Sequence, residues 1–120
     1  MRTLFHACVT SSLEAVEFYR KAFNAEVKCC YVDSTGQFVE HAELAISDQT
    51  FLSVMEIPEV QLGNTMYFWF SFDNEKSITD AYEVLKDGAE VREPLGPWEW
   101  CKLLADLTDK FGVRWLLNVF

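Results

Sequence analysis

The sequence repeats one pattern of elements, and this repeat limits the folds that are open to the chain. Each half is predicted as strand, helix, strand, strand and strand, because apolar residues alternate in the strands and form a stripe along each helix. Ala25-Glu26-Val27 follows the first helix, and the related Ala89-Glu90-Val91 follows the second. Phe18 and Tyr82 lie at the same offset before these tripeptides. A tandem repeat of this kind has to stack or fuse two sheets, so we predict an α+β protein built from two βαβββ modules.

The modules are predicted to span about residues 1–57 and 65–120 of a single domain, and to form a cupped mixed sheet with the helices on its outer side. Ser11 with Glu14 predicts a capping box for the first helix, and Asn74 is the predicted N-cap of the second. We expect the second helix to end at Gly88 as its C′ residue. Residues 93–97 are predicted as a loop. The expected strands cover residues 4–9, 25–32, 38–46, 50–56, 66–72, 90–92, 98–107 and 113–120.

Charge and composition exclude several partners. The formal net charge of −9 repels phosphate backbones and anionic lipid, so nucleic acid and membrane surfaces are poor partners. No apolar run approaches the roughly 20 residues of a membrane span, and the N-terminus begins a strand pattern without a signal peptide. The four cysteines show no C-x-x-C spacing, so we expect reduced thiols. A cytoplasmic protein is therefore predicted.

The closing strand of the second module shows which of its side chains face the core. It follows an Asp-x-Phe-Gly turn at residues 109–112, where a glycine can take the positive φ of a tight reversal. Trp115 alternates with Val113, Leu117 and Val119 on the more apolar side, which we place against the helices. Arg114 and Asn118 then lie on the opposite side.

Four stretches carry a resemblance to a known superfamily. They are residues 14–19 with Phe23, His41-Ala42-Glu43-Leu44, Trp100, and residues 109–115. In this order they resemble the vicinal oxygen chelate superfamily of glyoxalases, bleomycin-resistance proteins and extradiol dioxygenases, and within it the PhnB-like subgroup. The resemblance implies paired βαβββ modules, a cupped ligand site and, in most members, a homodimer.

The resemblance also implies where a catalytic metal would be bound. The superfamily's metal ligands correspond to positions near Leu4, Ser53, Tyr67 and Leu116 of this chain, and none of these is a good ligand for a divalent ion. We therefore predict no cofactor and disfavour a divalent metal. If a metal is bound, its candidate ligands are His6, His41 and Glu43.

The remaining polar and aromatic residues on the faces turned away from the helices form the predicted ligand site. For His6 this assignment stays open, because a one-residue register shift would place it in the core. His41 with Glu43 fits either an acid/base pair or a simple surface pair, and Arg114 suits either an anionic ligand or an ion pair with Glu43. The tryptophans around Trp100 fit a lid over the ligand or a dimer contact. The predicted ligand-binding residues are His6, His41, Glu43, Ser53, Tyr67, Trp69, Ser71, Trp100, Arg114 and Asn118.

Two classes of function fit these residues. In the first, the protein binds a small organic molecule without the usual metal, and affinity is its function. In the second, it is a glyoxalase-like or dioxygenase-like lyase or isomerase that uses the displaced ligands. A third interpretation, a structural partner without a ligand, predicts a cup filled by aromatic side chains.

Overall fold

The computed structural model of the chain describes residues 1–120 and contains two compact units, Met1–Gln61 and Leu62–Phe120. Each unit has the predicted βαβββ order, so the α+β fold with two tandem modules is confirmed. The elements of the first unit are β1 Phe5–Val9, α1 Ser12–Phe23, β2 Glu26–Val32, β3 Val39–Ile46 and β4 Gln49–Glu56. Those of the second are β5 Phe68–Ser71, α2 Glu75–Leu85, β6 Glu90–Trp98, β7 Cys101–Thr108 and β8 Arg114–Val119.

Each unit has its own four-stranded mixed sheet with the same topology. The strand orders are β1-β4-β3-β2 in the first unit and β5-β8-β7-β6 in the second. The first and last strands of each unit pair in parallel, and the other neighbours pair antiparallel. Neither helix has the length and apolar character required to cross a bilayer.

Helix α1 covers one face of the first sheet. It buries Ala15, Tyr19 and Ala22 against β3 and β4, and it ends at Asn24, which takes the left-handed conformation at φ 49°. Alternation with Ala42 and Leu44 along the predicted strand 38–46 places Phe38 on the inward face, and this prediction is wrong, since Phe38 is exposed and Val39 is buried. Phe38 lies before β3, where its carbonyl closes the β2–β3 connection by accepting the N–H of Asp33.

The beginning of α1 differs from the predicted capping box. Ser11 is the N-cap, but its side chain makes no capping hydrogen bond, so the serine half of the box is absent. The carboxylate of Glu56 instead accepts the N–H of Ser12 at 3.0 Å. The Ser12 hydroxyl accepts the N–H of Val39 at 2.8 Å. Glu56 of β4 therefore provides the capping acceptor that the local sequence assigned to Ser11.

Helix α2 follows its sequence signals more closely. The Asn74 side chain accepts the N–H of Ser77 at 2.8 Å, which confirms the predicted N-cap. The helix ends with Lys86 as C-cap, so Asp87 is the C′ residue and Gly88, at φ 73°, lies one position after it rather than at C′ as predicted. Trp115 is 0% exposed on the helix-facing side of β8 and meets Phe68 edge-to-face at 5.4 Å. The predicted core orientation of Trp115 is confirmed.

The predicted loop at residues 93–97 lies within a strand. Residues 90–98 form β6, which pairs with β7 through three register shifts. Proline lacks the N–H that a central strand needs, but β6 is the edge strand of its sheet, where one side needs no partner. The irregular pairing thus accommodates two prolines that the sequence pattern assigned to a loop.

Candidate functional site

The helix-free face of the first unit carries a row of polar side chains that crosses all four strands. His6 of β1 pairs in register with Ser53 of β4, Ser53 with Glu43 of β3, and Glu43 with Cys29 of β2. Side chains of residues opposite one another in a ladder project from the same face of the sheet. We call these four residues the polar row.

The first two members of the polar row are bonded to each other. His6 Nδ1 and Ser53 Oγ share a hydrogen bond of 2.5 Å. Ala7 and Val9 of the same strand are buried, whereas His6 is exposed, so a register shift that would place His6 in the core does not occur. His6 faces away from the core of its unit, as the predicted site requires.

The other two members lie beside His41, one same-face step along β3. His41 Nε2 and Glu43 Oε2 are 2.8 Å apart. One potential ligand atom from each of Cys29, His41 and Glu43 lies within 4.8 Å of the other two. His41 and Glu43 were predicted as a pair, whereas Cys29 was not predicted as a site residue.

An open groove of about 400 Å³ lies at the N-terminus of α1. A helix N-terminus attracts anions, because its first N–H groups lack partners. Here the carboxylate of Glu56, which lines the groove, already accepts one of these N–H groups. This end of α1 therefore has its negative partner within the chain.

In the second unit a tyrosine, an aspartate and an arginine form a hydrogen-bonded network on the helix-free face. The Tyr67 hydroxyl donates to Asp106 Oδ2 at 2.7 Å and accepts from Arg114 Nη2. The Arg114 guanidinium stacks 3.8 Å from the centre of the Tyr67 ring and donates to the carbonyl of Asn64. Burial and the neighbouring Asp106 carboxylate raise the pKa of Tyr67 above its usual range, so the phenol stays protonated. Arg114 thus forms its ion pair with Asp106.

Three aromatic side chains meet on the same sheet, at the end of β8. Trp69, Trp100 and Phe120 have ring centres 5.9–6.3 Å apart, and we call them the aromatic cluster. They are 47%, 49% and 63% exposed, respectively. Trp69 Nε1 donates to Asn118 Oδ1 at 2.7 Å, which fixes the orientation of the indole. Asn118 is completely buried, and its Nδ2 has no hydrogen-bond partner.

The predicted site residues thus separate into local groups. In the first unit, His6 contacts Ser53, and His41 contacts Glu43. In the second unit, Tyr67 contacts Arg114, and Trp69 contacts both Trp100 and Asn118. Ser71 is exposed and pairs in register with Asn118. Prediction missed three members of these groups, namely Cys29, Asp106 and Phe120. Only Asp106 had a sequence signal, because it is a carboxylate inside the apolar run Leu103-Leu104-Ala105-Asp106-Leu107.

The sequence profile of the Glyoxalase/Bleomycin resistance protein/Dioxygenase superfamily matches residues 5–117, and the chain belongs to this superfamily. A search of curated protein sequences finds no match.

Solved structures share the fold along the whole chain. Protein PA1353 from Pseudomonas aeruginosa has a TM-score of 0.83 at 18% identity, with 99% of this chain and 97% of that chain covered. A PhnB protein from Bacillus cereus, described as a putative 3-demethylubiquinone-9 3-methyltransferase, has a TM-score of 0.80 at 22% identity, with both chains covered to 100%. The fosfomycin resistance protein FosX from Listeria monocytogenes, complexed with Mn(II) and sulfate, has a TM-score of 0.71 at 16% identity, with 100% and 92% covered.

The resemblance predicted that the superfamily's metal ligands would fall near Leu4, Ser53, Tyr67 and Leu116, and the side chains at these four positions can be checked for donor atoms. Leu4 and Leu116 offer no donor atom. Ser53 is engaged with His6, and Tyr67 is a protonated phenol held by Asp106 and Arg114. A divalent ion requires three or four converging N, O or S donors. These four positions therefore do not fit the usual metal.

Proposed function

We propose that this protein binds a small organic molecule, and that the aromatic cluster forms part of its binding surface. The observation that carries the proposal is the position of the cluster beside Asn118, a buried carboxamide with an unpaired donor. Exposed aromatic rings close together are typical of sites for flat, apolar ligands. Binding, rather than metal-assisted chemistry, is the function we assign, because the four usual ligand positions do not supply a metal site.

The aromatic cluster supports a planar ligand in particular. Trp69, Trp100 and Phe120 each leave roughly half or more of their surface exposed, so a ring can stack on them without unfolding the sheet. An aromatic pair contributes about 0.5–1.5 kcal/mol beyond the area that it buries. The hydrogen bond from Trp69 to Asn118 holds one ring in place before a ligand arrives, which reduces the entropy lost on binding.

The unpaired donor supports a ligand that carries an acceptor. A buried N–H group without a partner costs roughly 1–3 kcal/mol. Because Asn118 is 0% exposed, a ligand carbonyl recovers this energy only if it displaces the side chains that cover Nδ2. Arg114 Nε is a second buried donor without a partner. Because the arginine is already neutralised by Asp106, an uncharged acceptor suits this face better than a strong anion.

One specific observation favours the alternative, a metal-dependent glyoxalase-like or dioxygenase-like lyase or isomerase with displaced ligands. His41 and Glu43, two of the three residues predicted for that role, lie together with Cys29. The third, His6, is bonded to Ser53 instead. We place this alternative second, because it lacks one of its predicted ligands.

The proposal is tested by titrating the protein with naphthalene carboxamide and following tryptophan fluorescence. We expect saturable quenching, and weaker binding of methylnaphthalene, which lacks the acceptor. Trp69→Ala should weaken binding by about tenfold or more, equivalent to about 1.4 kcal/mol. Trp98→Ala is the matched control, because Trp98 is 41% exposed and lies outside the cluster. Equal losses in both variants, or no saturable binding at all, would refute the proposed surface.

We further propose that the protein is a cytoplasmic homodimer. Its four cysteines are all free, which suits a reducing compartment. The exposed aromatic side chains supply apolar area for an interface of more than roughly 1,000 Å² in total.

Light scattering at micromolar concentration should give twice the chain mass, and a single-chain mass would contradict the dimer. Trp100→Ala separates the two roles considered for this residue. Loss of the dimer would make Trp100 an interface residue, whereas an intact dimer with weakened carboxamide binding would make it part of the ligand surface.

A further inference from the structure

The β2–β3 hairpin brings three different metal-binding side chains to one face. Glu43 lies directly opposite Cys29 in the antiparallel ladder, and His41 lies opposite Tyr31, one same-face step away. Residues opposite each other have Cβ atoms about 4.5–5.5 Å apart, and diagonal neighbours are about 7–8 Å apart at most, so their longer side chains can converge. The ligand atoms of Cys29, His41 and Glu43 lie within 4.8 Å of one another.

Sheet pairing, rather than chance, places these atoms together. Register shifts occur between Val27 and Cys29 on one side of the cluster, and between Tyr31 and Val32 on the other. The first of these bulges places Cys29 opposite Glu43, and alternation along β3 puts His41 and Glu43 on the same face. Buried neighbours hold the hairpin, since Ala42 and Leu44 point to the opposite, helix-covered face. The three ligands therefore come from a backbone whose register is specified by the core.

The donor set matches the preferences of a borderline-soft divalent ion. Zinc binds thiolate sulfur at about 2.3 Å, imidazole nitrogen at about 2.0–2.1 Å and carboxylate oxygen at about 2.0–2.2 Å. Tetrahedral bonds of these lengths place the donors roughly 3–4 Å apart, so small side-chain rotations from the present separations are sufficient. Calcium and magnesium prefer oxygen ligands only, so a thiol in the set disfavours both.

We propose that Cys29, His41 and Glu43 form a binding site for a zinc-like divalent ion on the β2–β3 hairpin. The His41 and Glu43 side chains are 42% and 31% exposed, so the fourth coordination position is open to water. This site shares none of the positions near Leu4, Ser53, Tyr67 and Leu116. The site also lies in a different unit from the aromatic cluster, so a result that excludes metal binding here would leave the proposed ligand-binding function intact.

Cobalt(II) is the probe, because it substitutes for zinc and reports its ligands in the absorption spectrum. We expect titration of the full chain with Co²⁺ to produce a sulfur-to-cobalt charge-transfer band, which excess Zn²⁺ removes. Cys29→Ser should abolish this band. His41→Ala and Glu43→Gln should each weaken Co²⁺ binding by about tenfold or more, since even outer-shell changes cost about 10–100-fold.

Cys30→Ser is the matched control, because Cys30 is the adjacent exposed thiol, pairs in register with Ala42 and is not a member of the cluster. It should retain the charge-transfer band at full intensity. All substituted side chains are at least partly exposed, and circular dichroism checks that each variant is folded. Absence of the band in the unmodified protein, or its survival in Cys29→Ser, would overturn the proposal.

Thiol protection gives an independent test of the same site. A metal-bound thiolate is a poor nucleophile, so Zn²⁺ should slow alkylation of Cys29 measured by mass spectrometry in the Cys30→Ser protein. Cys8 and Cys101 lie outside the cluster and should react at unchanged rates. Equal protection of all three thiols would count against the site, since it would indicate unspecific association with zinc.

Discussion

Trp115→Ala is expected to lower the free energy of unfolding by about 3–5 kcal/mol, the range observed for large aromatic residues in cores. Trp115 is 0% exposed and packs against Phe68. Its Nε1 also donates to Asp109 Oδ2 at 2.9 Å, so truncation leaves both a cavity and a carboxylate without one of its donors. A loss of this size is a large part of the roughly 5–15 kcal/mol that keeps a typical domain folded. Urea unfolding followed by circular dichroism measures the change.

Trp69→Ala serves as the matched control, since it removes the same side chain from the other face of the same sheet. Trp69 is 47% exposed, and its main polar contact is the hydrogen bond to Asn118. We expect a clearly smaller shift in the urea midpoint than for Trp115→Ala. If Trp69→Ala unfolded the protein and Trp115→Ala were nearly silent, the assignment of the two faces of this sheet would be inverted.

Asp109→Ala is expected to produce the second large loss, roughly 2–4 kcal/mol. Its Oδ1 accepts the N–H groups of Phe111 and Val113 at 2.9 and 3.0 Å, while its Oδ2 accepts the Trp115 indole. Alanine removes the acceptor for three donors. Only the hydrogen bond to the indole is buried, and a buried donor left without a partner costs roughly 1–3 kcal/mol, whereas the part-buried N–H groups of Phe111 and Val113 can bind water at a smaller cost. The same residue therefore orders the turn before β8 and anchors the central core tryptophan.

Asp109→Asn separates these two roles. The amide keeps one oxygen for the two backbone N–H groups but presents an NH₂ to the indole N–H, so two donors face each other. We expect a loss of stability smaller than that of Asp109→Ala. If the asparagine variant were as unstable as the alanine variant, the two backbone hydrogen bonds of the turn would contribute little, and the acceptor for the Trp115 indole would account for the loss. The losses from Asp109→Ala and Trp115→Ala should also be less than additive, because both remove the same hydrogen bond.

Alternation along single strands predicted much of the arrangement correctly. It placed Trp115 in the core and Trp69 and Asn118 on the other face, because side-chain direction in a strand depends only on a period of two. The same argument placed His41 with Glu43. Alternation failed where bulges interrupt the strands. Phe38 is exposed rather than buried, and residues 93–97 belong to β6 rather than to a loop.

Pairing between strands could not be predicted from these patterns. Cys29 became a site residue because the bulged register of β2 and β3 sets it opposite Glu43. Asp106 became the partner of Tyr67 because β7 runs beside β8. At α1, Glu56 took the N–H of a residue 44 positions away, which no local capping signal indicates. Each of these contacts depends on sheet order and register, which a single sequence specifies only through the packing of the whole core.

The most direct test of the proposed ligand surface uses the four tryptophan indole N–H signals of the ¹⁵N-labelled protein. Trp69 Nε1 is bonded to Asn118 beside the aromatic cluster, and Trp115 Nε1 is bonded to Asp109 in the core. During titration with naphthalene carboxamide, the signals of Trp69 and Trp100 should shift progressively and saturate, while those of Trp115 and Trp98 stay in place. A shift confined to Trp115, or four signals that do not move at saturating carboxamide, would contradict the assignment of this face as the ligand-binding surface.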